Sequence, residues 1–143
     1  MRKNTIHEAA FRLAFDVKTI IAAEVRKLDI KLTPMQMRAL RVIWRKANAT
    51  SQDIASVLKR DKGQITRLIN GLCDQNFVER TLNPKDNRSK SLRLTKAGEQ
   101  IFRKVENIEE KLLDEMTKGI AETDLDVFFN VANKLSENMK QIN

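Results

Sequence analysis

The spacing of apolar residues in this chain changes period twice, and that change limits what it can fold into. Up to Leu72 the apolar positions recur at three- and four-residue steps, as helices require. FVERTL (77–82) and KSLRLT (90–95) then alternate polar with apolar, as strands do, and the helical period returns from Ile101. A lone two-stranded hairpin is marginal in water, so these strands must lean on the helices around them. The expected fold is mostly α with a small β-hairpin, ordered as four helices, hairpin, long helix and helix.

Helix starts are written in the sequence as capping residues. Ile6, Ala10, Leu13, Val17, Ile20 and Leu28 mark a first helix over Ile6–Leu28, with Phe11 and Phe15 on adjoining faces. LTPMQ supplies Thr33 as N-cap, Pro34 in the first helical position and Gln36 at the third, with Met37, Leu40, Val42, Ile43 and Trp44 packing behind. TSQD opens a third helix on Thr50 and Asp53, with Ile54, Ala55, Val57 and Leu58 facing inward. DKGQ opens a fourth on Asp61, and Asn76 is a residue type that tolerates the left-handed backbone of a helix end. Thr95 begins the long helix, and Thr123 is expected to cap the last one.

Charge adds a direction. The net charge is +8 over 143 residues, unevenly spread. Residues 59–96 carry 10 basic and 4 acidic side chains, whereas residues 97–143 carry 6 basic and 10 acidic. A basic centre beside an acidic tail suits a polyanion partner, although on charge alone a solvated basic face fits equally well. No run of eighteen apolar residues occurs, so no transmembrane helix is expected, and no membrane partner. The first residues lack the apolar core of a signal peptide. A cytoplasmic, nucleoid-associated location follows as the expectation, and the single Cys73 agrees with a reducing compartment.

Enzymatic chemistry has little to work with. His7 is the only histidine, Cys73 has no second cysteine, and no phosphate-binding glycine loop or nucleophile elbow is present. Glu106, Glu109, Glu110, Asp114 and Glu115 read as a solvated face. Cys73 reads as a buried structural thiol. No catalytic residue, metal site or cofactor is expected.

Two helices at a polar corner followed at once by a hairpin make a winged helix-turn-helix. In helix-turn-helix proteins the second helix enters the major groove and its first residues reach base edges. Here those residues are Lys62, Gly63, Gln64, Thr66 and Arg67, with Ser51 at the start of the preceding helix. Gln pairs with adenine and Arg with guanine through two hydrogen bonds each. A plain amphipathic surface helix would show the same polar face; the hairpin decides for the DNA reading.

The segment from Lys59 to Gly98 resembles the DNA-binding lobe of the MarR (multiple antibiotic resistance regulator) family of transcription factors. The resemblance rests on Thr66, Arg67, Leu68 and Leu72 in the fourth helix and on Val78 and Arg80 after it. It rests also on the hairpin pattern Asp86, Arg88, Ser89, Leu92, Leu94, Thr95 and Gly98. Asn76 stands where the family usually has glycine, and it keeps the required backbone accessible. The flanking helices match the family layout. The lobe is expected over residues 31–96, and a helical dimerisation region over residues 1–30 and 97–143, in one intertwined domain.

That reading gives the charged loop NPKDNRS a task. A wing tip that reaches a minor groove needs cations, because the narrow groove concentrates negative potential. Arg88 is the candidate for the groove, Asp86 for orienting it, and Lys85, Lys90 and Arg93 for phosphates. Phe11, Phe15, Leu125, Phe128, Phe129 and Leu135 supply apolar surface for a homodimer, which presents two recognition helices to a near-palindromic site. The resemblance implies a DNA-binding regulator, most simply a repressor, released by a small aromatic or phenolic ligand. Phe15, Met35, Arg38 and Trp44 are the candidates for that pocket. A winged-helix adaptor docking an acidic protein is the alternative, and it would lack the salt dependence and sequence preference of a DNA reader.

Overall fold

The computed structural model describes residues 5–83 and 86–142, with side chains described outside residues 83–89. Its elements are α1 (Ile6–Arg26), α2 (Pro34–Arg45), α3 (Ser51–Leu58), α4 (Lys62–Asp74), β1 (Val78–Asn83), β2 (Asp86–Leu94), α5 (Lys96–Met116) and α6 (Glu122–Lys140). Two compact units divide inside α5, between Glu110 and Lys111.

In the first unit the caps act at the offsets the sequence sets. Thr33 and Gln36 close a reciprocal capping box on α2, as do Thr50 and Asp53 on α3. Asp61 accepts the Gln64 N–H at 2.8 Å at the start of α4. Asn76 adopts φ +62°, which ends α4 and swings the chain into β1. The core is continuous across the lobe. Leu40 of α2, Ile54 of α3, Ile65, Ile69 and Leu72 of α4, Val78 of β1 and Leu92 of β2 are each at most 3% exposed. The hairpin leans on this core, as its length requires, and Leu92 N–H also donates to Ala49 O at 2.7 Å.

The start of α5 is built against the end of α4. Thr95 Oγ1 donates to Asn76 O at 2.6 Å and accepts from Gly98 N–H at 3.0 Å, while Thr95 N–H donates to Phe77 O at 3.0 Å. Thr95 therefore caps α5 and ties it to the α4–β1 corner in one step.

Three expectations are corrected here. The second strand begins at Asp86, not Lys90: pairing runs from Val78↔Leu94 to Leu82↔Lys90 and then shifts to Asn83↔Asp86. Residues 83–90 are polar apart from Pro84, so the sequence carries no alternation there to read. Val57 is 55% exposed, because α3 turns it into an open groove shared with α2. In the second unit, Ala121 is the N-cap residue of α6 without a side-chain bond, and Thr123 lies inside the helix. Gly119 at φ +77° turns the chain there, and Glu122 and Asp124 in the first turn suit the positive end of the helix dipole. No residue of α6 is buried; Phe128 and Phe129 are 52% and 57% exposed. Among the described residues no helix is long and apolar enough to cross a membrane.

Candidate nucleic-acid interface

α4 is two-faced. Its apolar stripe seats it on the core, which turns Lys62, Gly63, Thr66 and Arg67 to solvent, with exposed Gln64 at the stripe's edge. The Thr66 hydroxyl donates to Lys62 O at 2.8 Å. Its proton is thereby used within the helix, and what it offers outward is an acceptor oxygen and a methyl group. Lys59, at φ +53°, makes the left-handed step between α3 and α4.

A groove of about 660 Å³ runs between α3, α4 and the hairpin. It brings together Ser51 of α3, Lys62 and Thr66 of α4 and Lys90 of β2, from three separate stretches of sequence. Arg80 joins them, and it is the residue that sequence reasoning left without a role. Its Nη2 donates to Asn70 Oδ1 at 2.6 Å and its Nη1 to Cys73 Sγ at 3.4 Å, which binds the root of the wing to α4. A basic residue just after the helix end was the available signal. Cys73 is correspondingly half-buried, not buried. Arg93 is paired across the hairpin with Glu79. Lys85 lies outside the described residues, as do the side chains of Asp86 and Arg88.

The start of α3 is held electrostatically. Lys46 Nζ lies 2.7 Å from Asp53 Oδ1, and the Thr50 N–H reaches Oδ2 at 2.9 Å. The Lys46 hydrogen bond foremost, with those from Thr50, holds the Asp53 carboxyl below its usual range despite partial burial, which opposes it. A lowered folded value means the unfolded chain binds the proton more readily. The stabilisation is therefore present at neutral pH and is lost as acid protonates the folded group. Asp53→Asn is expected to cost about 1 kcal/mol at pH 7. Urea melts at pH 7 and pH 3 should show that difference shrinking in acid; an equal loss at both would refute the assignment.

The four candidate pocket residues do not converge. Phe15 is 68% exposed, Met35 packs against the core, and Trp44 lies 5.3 Å from Phe102 in a tilted ring pair. Only Arg38 lines the apolar groove of about 440 Å³ between α1, α2 and α5, where Ile21, Ala22 and Met37 form the walls. Glu109 lines it too, and it corrects the reading of that side chain as solvated: it takes a bidentate ion pair from Arg41 of α2. Among the described residues no cluster of His, Cys, Asp or Glu could hold a metal ion.

Comparison with known proteins agrees with this geometry. Residues 32–90 match the family model described as MarR family. The HTH-type transcriptional regulator BilQ of Clostridium symbiosum is 26% identical over 95 residues, which cover 66% of each chain. The aligned part thus spans just under two thirds of that relative. In fold, the chain is similar to the MarR family transcription regulator SP03579, with TM-score 0.81, 22% identity, and 97% of this chain and 93% of that one covered. It is also similar to a mutant of S. aureus MepR bound to an oligodeoxyribonucleotide. There the TM-score is 0.64 at 20% identity, covering 93% of this chain and 97% of that one.

Proposed function

We propose that this chain, whose residues 32–90 match the MarR family model, is a sequence-specific reader of double-stranded DNA that represses transcription as a homodimer. The observation that carries this reading is the exposed face of α4, joined by one groove to Ser51, Arg80 and Lys90. α4 enters the major groove, where Gln64, Thr66 and Arg67 meet base edges, and Lys62 and Lys90 meet phosphates. The wing over residues 83–90 reaches the minor groove through Arg88, oriented by Asp86, with Lys85 beside it.

Residues 1–30 and 97–143 form the dimerisation region, with Phe11, Phe15, Leu125, Phe128, Phe129 and Leu135 at the contact. The exposure of these rings and of α6 as a whole supports that role. A two-fold pair of α4 helices then spans successive major grooves, roughly 34 Å apart, and calls for a near-palindromic operator. The apolar groove beside Arg38 has the size of a small-ligand site and supports release by an aromatic or phenolic effector. Such a ligand shifts the spacing of the two α4 helices only through unequal affinity for the two states.

Titration of the purified protein against a genomic fragment library at two salt concentrations tests the reading. A palindromic site should be recovered. Arg67→Ala should cost about 1–3 kcal/mol and relax one base position, and Arg88→Ala should weaken binding to the same site. Weak, unselective binding indifferent to Arg88 would transfer the reading to a protein-docking adaptor.

A further inference from the structure

A second groove, of about 430 Å³, lies between α2 and α3 and shares no lining residue with the one between α4 and the wing. α3 separates the two: Ser51 and Gln52 face the wing side, and Asp53 and Val57 face this one. Arg38, Arg41 and Arg45 lie at three-, four- and seven-residue steps along one face of α2 and form its rim, with Lys46 at the end.

Charge and apolar surface are both left uncovered there. Arg41 is committed to Glu109 and Lys46 to Asp53. Arg38 and Arg45 are exposed and hold no ion pair or hydrogen bond among the described residues. They are seven residues apart, about 10.5 Å along the helix, which is two turns. Between them the floor is hydrocarbon: Val42 packs on the core, and Val57 is left more than half in water.

From this we infer that the α2/α3 groove docks an acidic amphipathic helix of a partner protein. Two carboxylates two turns apart on that helix pair with Arg38 and Arg45, and an apolar side chain between them covers Val42 and Val57. Helix-in-groove recognition needs this combination of apolar floor and charged rim. A phosphate chain would satisfy the guanidinium groups but leave Val57 in water, since phosphate contacts draw on charge alone. Because the groove is separate from α4 and the wing, a partner can sit there while DNA is bound.

The probe is a fluorescein-labelled helical peptide of about 16 residues, with two Glu seven residues apart and Leu between them. Fluorescence anisotropy with the full chain should show saturable binding. Arg38→Glu with Arg45→Glu should weaken it about tenfold or more, and a peptide with Lys in place of both Glu should bind that variant instead. Val57→Asp should weaken the Glu peptide about fivefold while genomic DNA affinity stays at the wild-type value. All three positions are exposed, so thermal melts should match the wild type, and the charge swap succeeds only on a folded groove. Absence of peptide binding overturns the inference, as does binding that ignores the charge reversal. So does loss of DNA affinity in Arg45→Glu alone, which would make the stripe a phosphate contact; Arg38 also lines the proposed effector groove and is kept out of that arm. A change of the double variant's mass by light scattering would also overturn it, by giving the groove to a second copy of this chain.

Discussion

Gly98→Ala is expected to lower the stability of the fold by about 3 kcal/mol, against the trend of helix propensity. Gly98 lies in the first turn of α5, where Ala would ordinarily be better by about 1 kcal/mol. An added Cβ, however, would stand 2.0 Å from Phe77 O and 2.9 Å from Phe77 C. Both are backbone atoms, and that carbonyl already accepts the Thr95 N–H. Relief requires either lifting the start of β1 or opening the first turn of α5, and the second course breaks the Thr95 cap. Thermal melts followed by circular dichroism should show a fall in Tm of about 10 °C. A Tm equal to or above that of the wild type would show that the corner yields and that the contact does not hold the lobe to α5.

Phe128→Asp combined with Phe129→Asp is expected to leave a monomer in place of the proposed homodimer and to lower affinity for the proposed DNA site about a thousandfold. Around α6 the apolar residues Val127, Phe128, Phe129, Val131, Leu135 and Met139 occupy more than half of the helix circumference. A helix packed on one neighbour needs an apolar stripe of little more than about 100°. The surplus requires a further partner, and each phenylalanine buried there contributes about 1.5–3 kcal/mol. Two carboxylates in the same seam reverse that contribution. Because both rings are exposed in the single chain, the variant should keep its helix content. Light scattering at micromolar concentration would show one chain mass for the variant against two for the wild type. A variant that remains dimeric would remove α6 from the interface.

How much was legible follows from the range of each interaction. Thr33 with Gln36, Thr50 with Asp53 and Asp61 with Gln64 are contacts at three residues' distance, so their residue types alone place three helix starts. The same short range misled at Thr123. A threonine before acids satisfies the capping pattern, but Gly119 turns the chain early enough for α6 to begin at Glu122. Ser51, Lys62, Thr66 and Lys90 could be named from the motif, but not that one groove would hold them together with Arg80.

By itself, then, the sequence determined the order of elements, the caps of α2, α3, α4 and α5, the two-faced α4 and the change of period that makes a wing. These depend on neighbours within one or two helical turns or on strict alternation. Only the tertiary structure decided that Glu109 pairs with Arg41 across 68 positions, that Arg80 locks the wing to Asn70, and that Gly98 must have no side chain beside Phe77. It also decided that Val57 stays more than half in water beside two arginines unpaired among the described residues. Each of these depends on where two distant segments meet, and packing of the common core sets that meeting, while no local pattern records it.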